Sequence, residues 1–210
     1  MKLTKYEHAC LVLSVASDRL IIDPGEWLSP PDFTDIVAVV VTHEHKDHWT
    51  SANLERILEA SPGARIFAPA GVAARAQGFD VEIVAHGDHV EIAGFSLDFF
   101  GEKHAIIHST VPVIDNVGVL VNNELYYAGD SYTVPEAPVG TLAAPIGAPW
   151  LKISEAMEYV LAVKAARVFY THDMTLSVIG RGESGPRLEW ATTQVGGEWI
   201  PLGVGDSLDI

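Results

Sequence analysis

The 210-residue sequence contains a single cysteine, few basic residues and no long apolar run. With only Cys10 present, no disulfide can form within the chain, and its apolar neighbours predict a buried thiol without a catalytic role. No segment reaches the roughly 18 apolar residues that cross a bilayer, and the opening segment lacks the apolar stretch of a signal peptide. We therefore expect a cytoplasmic protein that does not enter membranes.

Basic residues are scarce, since 13 lysines and arginines stand against 28 aspartates and glutamates, for a formal net charge of −15 at pH 7. Nucleic-acid binding draws most of its affinity from basic side chains that neutralise phosphates, so this balance argues against RNA or DNA as a partner. We expect a small-molecule substrate instead, and we leave open whether the chain forms a homo-oligomer. Bound divalent cations would offset part of the negative charge.

The length and the 48% hydrophobic content are those of one folded domain, residues 1–210. Periodicity and turn residues predict strands at residues 10–15, 19–22, 36–41, 65–68, 81–84, 90–92, 95–100, 117–121, 124–128 and 167–170. Helices are predicted from a cap at Thr50 or Ser51 to about residue 60, over residues 71–77, and from a cap at Ser154 to residue 166. Asn122-Asn123 suits a hairpin. The order favours an α/β sandwich with sheets inside and helices outside.

Several of the nine histidines follow predicted strands. The residues at these strand ends are His43, His45 and His48 after the strand at 36–41, His104 and His108 after 95–100, Asp130 after 124–128, and His172 after 167–170. Strand ends at one edge of a sheet converge in space, so these side chains are expected to share a pocket. His86 and His89 lie in a turn-like segment, where surface positions are the better interpretation.

The spacing within the first histidine cluster favours two neighbouring metal ions. In extended backbone His43 and His45 point the same way, as two ligands of one metal must. Asp47 and His48 lie on the turn into the next helix and face another direction. Imidazole and carboxylate ligands suit zinc, and manganese or iron remain alternatives.

The run His43-Glu44-His45-Lys46-Asp47-His48 resembles the His-x-His-x-Asp-His signature of the metallo-β-lactamase superfamily. Three further segments resemble motifs of that family in the same order, namely Asp23-Pro24-Gly25, Ala128-Gly129-Asp130-Ser131 and Tyr170-Thr171-His172-Asp173. The resemblance implies a four-layer αββα sandwich, the metallo-β-lactamase fold. The opening segment 3–10 looks like the branch that contains L-ascorbate-6-phosphate lactonase. Glu7 stands there in place of the usual glycine, and Trp49 follows the metal motif where small residues are common.

Carried over residue by residue, the resemblance implies a dinuclear centre. His43, His45 and His104 would bind the first metal, Asp47, His48 and His172 the second, and Asp130 would bridge them. Asp23 would lie behind the ligands and fix the tautomer of one imidazole. Asp47 would also orient the nucleophile and accept its proton as the catalytic residue.

Several assignments keep an alternative. His104 is favoured over His108 as the third histidine because it follows its strand sooner, which leaves His108 as a pocket residue that contacts substrate or protonates a leaving group. His8 either supports the site or packs with Cys10. Asp23 is otherwise an ordinary turn residue, and Tyr132 either binds substrate or packs on its loop. Trp27, Trp49 and Trp150 either line the pocket mouth or belong to the core.

These residues predict a metal-dependent hydrolase of a small ester, lactone or phosphoester. Two divalent ions lower the pKa of the water between them from about 15.7 toward about 7, so that hydroxide is available as the nucleophile at neutral pH. The alternatives are a nuclease or phosphodiesterase of the same superfamily, and a metal-binding or regulatory module without turnover. Substrate choice is expected to depend on the loops at residues 26–34, 104–116 and 131–150.

Overall fold

The computed structural model describes residues 1–29 and 32–210, so residues 30 and 31 of the predicted pocket loop 26–34 lie outside the described residues. In chain order the elements are β1 (Lys2–Lys5), β2 (Leu11–Val15), β3 (Asp18–Ile22), β4 (Ile36–Val40), α1 (Ser51–Ala60), β5 (Arg65–Ala68), α2 (Ala70–Arg75), β6 (Val81–Ile83), β7 (His89–Ile92), β8 (Phe95–Phe100), β9 (Gly118–Val121), β10 (Leu125–Tyr127), β11 (Thr141–Pro145), α3 (Ile153–Val163), β12 (Arg167–Thr171), α4 (Val178–Gln194), β13 (Glu198–Trp199) and β14 (Ser207–Asp209). Within the described ranges no helix is long and apolar enough to span a membrane.

The strands form two mixed sheets. The first has the order β14-β1-β2-β3-β4-β5-β6, and the second has the order β13-β12-β11-β10-β9-β8-β7. In β4, Ala38 and Val40 face the core between the sheets, whereas Val39 faces the other side, where Leu54 and Ile57 of α1 cover it. This alternation explains why the strand is apolar throughout, since both of its faces are buried.

Helices α3 and α4 cover the outer face of the second sheet. Tyr159 and Val160 of α3 and Leu188 of α4 pack there against Leu142 and Ala144 of β11. With α1 and α2 on the first sheet, the layers follow the order helix, sheet, sheet, helix. The predicted αββα sandwich is therefore confirmed.

The helix α3 does not begin where the sequence predicted, so the assignment of Ser154 as its cap was wrong. The N-cap is Lys152, without a side-chain cap bond, and the helix ends at Val163 because Lys164 takes a left-handed conformation at φ +56°. A residue in that conformation stops the helical hydrogen-bond pattern. The cap prediction at Thr50 is confirmed, because its side chain accepts a hydrogen bond from the Asn53 N–H.

Strand polarity brings the ends of many strands to one edge of the sandwich. β3 and β4 run parallel, and so do β10, β11 and β12, so each pair or triplet ends on the same side. The turn between β1 and β2 lies at the same edge, because β2 runs antiparallel to β3. The residues that follow these strands therefore meet at one place, which is where the polar side chains cluster.

A buried ion pair fastens the first strand to this edge. Lys5 is fully buried, and its ammonium donates hydrogen bonds to Asp173 Oδ1 at 3.1 Å and to the Tyr6 carbonyl at 3.2 Å. Asp173 lies two residues after β12, next to the predicted metal ligand His172. The pair therefore holds the β1 end against the loop that continues from β12.

Replacing Lys5 by methionine should lower the free energy of unfolding by about 3–5 kcal/mol, because the buried Asp173 carboxylate then loses its closest cation and keeps only Arg181, at 3.8 Å. The double variant Lys5→Met/Asp173→Leu should recover part of that loss. Urea unfolding followed by circular dichroism measures both. Arg65→Met, which breaks an exposed pair with Glu82, is the control and should cost less than about 1 kcal/mol. Equal losses in the buried and exposed pairs would contradict this account.

Candidate metal centre

Two groups of imidazoles and carboxylates lie at the shared edge, and within each group the nearest ligand atoms all lie within 4.8 Å of one another. The first group is His43, His45, His104 and Asp130, and the second group is His8, Asp47, His48 and His172. The loop between β4 and α1 supplies residues to both groups, and the loops after β1, β8, β10 and β12 supply the rest.

Asp130 joins the two groups. Its Oδ2 lies 3.3 Å from His104 Nε2 and 3.2 Å from His172 Nε2, while its Oδ1 lies 3.3 Å from His48 Nε2. His104 belongs to the first group, and His48 and His172 belong to the second. One buried carboxylate thus faces imidazoles of both groups, which is the position that a bridging ligand needs.

Hydrogen bonds on the far side fix the tautomers of the second-group imidazoles. His48 Nδ1 lies 2.7 Å from Asp23 Oδ2, and His172 Nδ1 lies 2.6 Å from the Gly147 carbonyl oxygen. Carboxylate and carbonyl oxygens only accept hydrogen bonds here, so each Nδ1 carries the proton that it donates. In the neutral ring, Nε2 then presents a bare lone pair toward Asp130.

The same argument holds in the first group. His104 Nδ1 donates to the Ala105 carbonyl at 2.5 Å. The Thr42 hydroxyl donates to Asp23 at 2.7 Å, so at 3.0 Å it can only accept from His43 Nδ1. His43 Nε2 therefore also carries a lone pair. It points at His45 Nδ1 across 3.1 Å, as two nitrogens aimed at one cation would.

These lone pairs and the Asp130 oxygens fit divalent cations. His48 Nε2, His104 Nε2, His172 Nε2 and Asp130 Oδ1 are buried and have no hydrogen-bond partner in the described structure. Acceptors that face one another in a dry site are costly unless a cation lies among them. Imidazole nitrogen and carboxylate oxygen are ligands that zinc and related metals take.

In the protein without metal, the pKa values of the site residues also favour positive charge beside Asp130. Burial opposes protonation of His48, yet Asp130 and Asp23 raise its pKa to about 9. Burial likewise opposes ionisation of Asp130, but His172 and His48 hold its pKa well below the usual range. Protons therefore occupy, in the metal-free protein, the place that metal ions take in the loaded one.

His8 supports Asp47 through a hydrogen bond. Burial lowers the pKa of His8 to about 4, so the ring is neutral at pH 7. Its Nδ1 accepts from the Met174 N–H at 3.4 Å, which leaves Nε2 to donate to Asp47 Oδ2 at 3.3 Å. Although burial alone would raise the pKa of Asp47, this bond and the charge of His48 bring it below the usual range. Asp47 is therefore an anion with a fixed orientation.

Two glycines are required where the chain passes close behind the ligands. A Cβ at Gly25 would lie 1.8 Å from the Asp47 carbonyl oxygen, so no side chain fits there. Gly129 has φ +63°, and a Cβ at that position would lie 2.5 Å from Asn116 Oδ1. That same oxygen accepts the Asp130 N–H at 3.0 Å. Both glycines thus allow the backbone to place a carboxylate ligand.

The structure separates the two histidines that follow β8. His104 is buried in the first group, whereas His108 is exposed and lies 2.8 Å from the Thr110 hydroxyl, outside both groups. Tyr132 is also outside the groups and packs its ring against Trp150 at 5.2 Å between centroids. Asp23 is fully buried behind His48.

Sequence reasoning missed the roles of Trp150 and Asn116. Trp150 Nε1 donates to Asp130 Oδ2 at 2.9 Å, and the Asn116 amide donates to the Ala128 carbonyl at 2.9 Å. Trp150 stood among three tryptophans with no signal to single it out. Asn116 forms a bridge with His43 that depends on the two sheets being packed together, which no local pattern reveals.

The edge of an αββα sandwich with two His and Asp groups defines a metal-binding protein of the α/β class. A family model described as "Beta-lactamase superfamily domain" matches residues 2–172. Protein Rv0786c of Mycobacterium tuberculosis (strain ATCC 25618 / H37Rv) is 36% identical over 199 residues, which are 92% of this chain and 93% of that protein. The chain belongs to the beta-lactamase superfamily, as its sequence motifs predicted.

Solved structures of low sequence identity share the fold. Igni18, a metallo hydrolase from Ignicoccus hospitalis, matches with a TM-score of 0.73 at 18% identity and covers 100% of this chain and 98% of its own. CmlA, a diiron beta-hydroxylase from Streptomyces venezuelae, matches with a TM-score of 0.75 at 15% identity over 100% of this chain and 54% of its own. The fold therefore carries a metallo hydrolase in one relative and a diiron enzyme in another.

Replacing Asp23 by asparagine should weaken metal binding about 10–100-fold, because the amide cannot accept the His48 Nδ1–H as a carboxylate does. Equilibrium titration of the metal-free protein with a competing chelator measures this affinity. Asp98→Asn is the matched control, since Asp98 accepts from His89 at the same distance of 2.7 Å on the exposed surface. An equal effect of both substitutions would show that the Asp23 contact has no specific role.

Metal uptake by the metal-free protein should release at least one proton per chain at pH 7. The pKa of His48 near 9 means that its ring is protonated at that pH, and a metal can only bind the neutral form. Apparent affinity should therefore rise as the pH rises toward 9. Calorimetric titrations in buffers of different ionisation enthalpy count the protons. A heat of binding that is independent of the buffer would contradict a protonated His48 in the metal-free protein.

Proposed function

We propose that the protein is a metal-dependent hydrolase that uses two divalent cations to cleave a small ester, lactone or phosphoester. The observation that carries this proposal is the position of Asp130, whose oxygens lie 3.2–3.3 Å from imidazole nitrogens of both groups. A bridging carboxylate between two sets of imidazoles is the arrangement of a dinuclear hydrolytic site.

The proposed ligand sets follow the two groups. His43, His45 and His104 would hold one cation, Asp47, His48 and His172 would hold the other, and Asp130 would contact both. His8 stays outside the ligand set because its Nε2–H is donated to Asp47. We propose zinc as the native metal, and manganese or iron fit the same donor atoms.

Most of the site is buried, and its exposed members indicate where substrate arrives. His45 and Asp47 are partly exposed, whereas His43, His48 and His172 are buried. Substrate therefore approaches from the side of His45 and Asp47. When bound, the cations lower the pKa of coordinated water toward about 7 and polarise the oxygen of the bond to be cleaved.

Asp47 is the proposed catalytic residue. Its carboxylate is ionised, partly exposed and held by His8, so it can accept a proton from water at the open side of the site. Trp150 donates to Asp130 Oδ2 and Asn116 accepts the Asp130 N–H, and both contacts restrain the carboxylate beside the imidazoles. These contacts keep the site in a working geometry before substrate binds.

Lactone substrates belong to this proposal on the strength of the opening segment. Residues 3–10 resemble the L-ascorbate-6-phosphate lactonase branch, and His8 of that segment reaches Asp47. Neither Igni18 nor CmlA is described as a lactonase, so membership of that branch stays a prediction from sequence.

Alanine at His104 or His172 should reduce the metal content from two ions to one or fewer per chain, because each substitution removes a buried nitrogen that faces Asp130. Elemental analysis after metal loading and desalting measures this content. His108→Ala is the matched control and should keep both ions, since His108 lies outside the groups. Circular dichroism excludes loss of fold, and glutamine at the same positions serves if alanine unfolds the chain.

Unchanged two-metal content in His104→Ala and His172→Ala would overturn the proposed ligand sets. Turnover is tested separately, with the metal-loaded protein and a panel of esters, lactones and phosphodiesters. Hydrolysis that Asp47→Asn reduces at least 100-fold supports the proposal. Full metal loading without turnover of any substrate in the panel would favour a metal-binding or regulatory module.

A further inference from the structure

We infer that the substrate is an uncharged carboxylic ester or lactone with an apolar substituent, and that phosphoester anions are not the natural substrates. This inference rests on the proposed function and deepens it. Two independent observations carry it, the pairing of the basic side chains around the site and the apolar side chains on the loops that supply the ligands.

Basic side chains close to the ligands in sequence are held by carboxylates. Lys46, within the metal motif, lies 3.1 Å from Glu26, and Lys103, next to His104, lies 2.7 Å from Asp115. An anionic substrate that drew on either ammonium would have to compete with a carboxylate already in contact.

Three further basic side chains are engaged in the same way. Arg75 lies 2.8 Å from Glu44 of the metal motif. Lys5 and Arg181 both face Asp173, at 3.1 Å and 3.8 Å. Phosphate groups are bound in proteins by free guanidinium or ammonium groups and by uncapped helix N-termini. The five basic side chains named so far are all parts of ion pairs, and Lys152 is the exception.

Side chains cap the N-termini of α1 and α4, whereas α3 begins without a side-chain cap. At the start of α1 the Asn53 N–H donates to Thr50, and at the start of α4 the Gly180 N–H donates to Ser177. Lys152, at the start of α3, is partly exposed and is not in an ion pair in the described structure. The substitution Lys152→Ala therefore tests whether an anion binds there instead.

Apolar side chains lie exposed on three loops that carry site residues. Ile106 is 68% exposed two residues after His104, and Met174 is 44% exposed two residues after His172. Trp27, in the loop after β3, is 39% exposed and packs its ring against His8 at 4.6 Å between centroids. Trp27 and Met174 thus both contact His8 of the second group, and exposed apolar side chains beside a polar site are typical of a ligand-binding surface.

Together these features match a substrate with one polar reacting group and an apolar remainder. The carbonyl group would enter among the ligands, and the acyl chain or alcohol would contact Trp27, Ile106 and Met174. Hydrolysis then joins the oxygen of water to the acyl carbon and breaks the acyl carbon–oxygen bond. One water proton ends on the departing alcohol, and the other is lost from the new carboxylic acid.

The test compares 4-nitrophenyl substrates that share one leaving group. With the metal-loaded protein, kcat/KM should be at least 100-fold higher for 4-nitrophenyl hexanoate than for 4-nitrophenyl phosphate or bis(4-nitrophenyl) phosphate. From acetate to hexanoate each added methylene should raise kcat/KM about twofold, since about half of the roughly 0.8 kcal/mol per fully buried methylene is gained on a partly exposed surface.

Variants test whether the dependence of kcat/KM on chain length comes from the apolar side chains on the loops. Ile106→Ser and Met174→Ser should each lower kcat/KM for the hexanoate at least threefold, leave the acetate within twofold, and leave metal content unchanged. Trp27→Ala should act likewise, whereas Trp190→Ala, which removes a tryptophan 50% exposed on α4, is the matched control. Lys152→Ala should leave the ratios of kcat/KM between the carboxylic esters and the phosphoesters unchanged. Calorimetry with hexyl trifluoromethyl ketone, an uncharged carbonyl ligand, should show weaker binding to the serine variants.

The outcomes separate this inference from the proposed function. A preference for either phosphoester, or its loss in Lys152→Ala, would overturn the inference and leave the hydrolase intact. A flat response to chain length with unchanged serine variants would overturn the apolar contact. Metal loading without hydrolysis of any of these substrates would remove the proposed function and, with it, this inference.

Discussion

The structure depends on one unfavourable contact that metal ions relieve. The Asp130 carboxylate lies buried among imidazole nitrogens, and in the neutral rings these nitrogens cannot donate to it because the ring protons are committed on the far side. Without a metal ion a proton relieves this contact, since Asp130 and Asp23 overcome the effect of burial and raise the pKa of His48 to about 9; with metal ions the same nitrogens and oxygens would become ligands. Hydrogen bonds on the far side of the rings therefore fix the orientation of the imidazoles. The acceptors are the Asp23 carboxylate and the carbonyl groups of Ala105 and Gly147.

Those supporting bonds explain why the sandwich edge is suited to this task. Parallel strands bring their ends to the same side, where the loops supply the candidate ligands. The carboxylate or carbonyl that orients an imidazole comes from a neighbouring loop for His48 and His172 and from the same loop for His104. Backbone carbonyl groups therefore orient the imidazoles as well as side chains do. Since backbone carbonyls occur in every loop, the same edge can hold ligands in place even where loop sequences differ.

Sequence reasoning recovered the sheets, the αββα order and the residues of both groups apart from His8, because period-two patterns and strand-end histidines are local signals. It missed the strands β1, β11, β13 and β14 and the helix α4. β11 contains two alanines and a proline, so its burial comes from its central place in the sheet. α4 carries three glycines and Pro186, and its packing against α3 overrides weak propensity. The contacts of Trp150 with Asp130 and of the Gly147 carbonyl with His172 could not be predicted either, since they exist only after the layers assemble.

The backbone contact between the two ends of the site has a consequence for biosynthesis. His172 donates its N–H to the His8 carbonyl at 2.8 Å, so the outer edge of the second group forms only when an early turn meets a late loop. Closing so long a stretch of chain is slow compared with local folding. A chain that is still being synthesised therefore cannot complete the second group until the segment that carries His172 has left the ribosome. Metal capture by both groups together then has to follow the docking of that late segment onto the early turn.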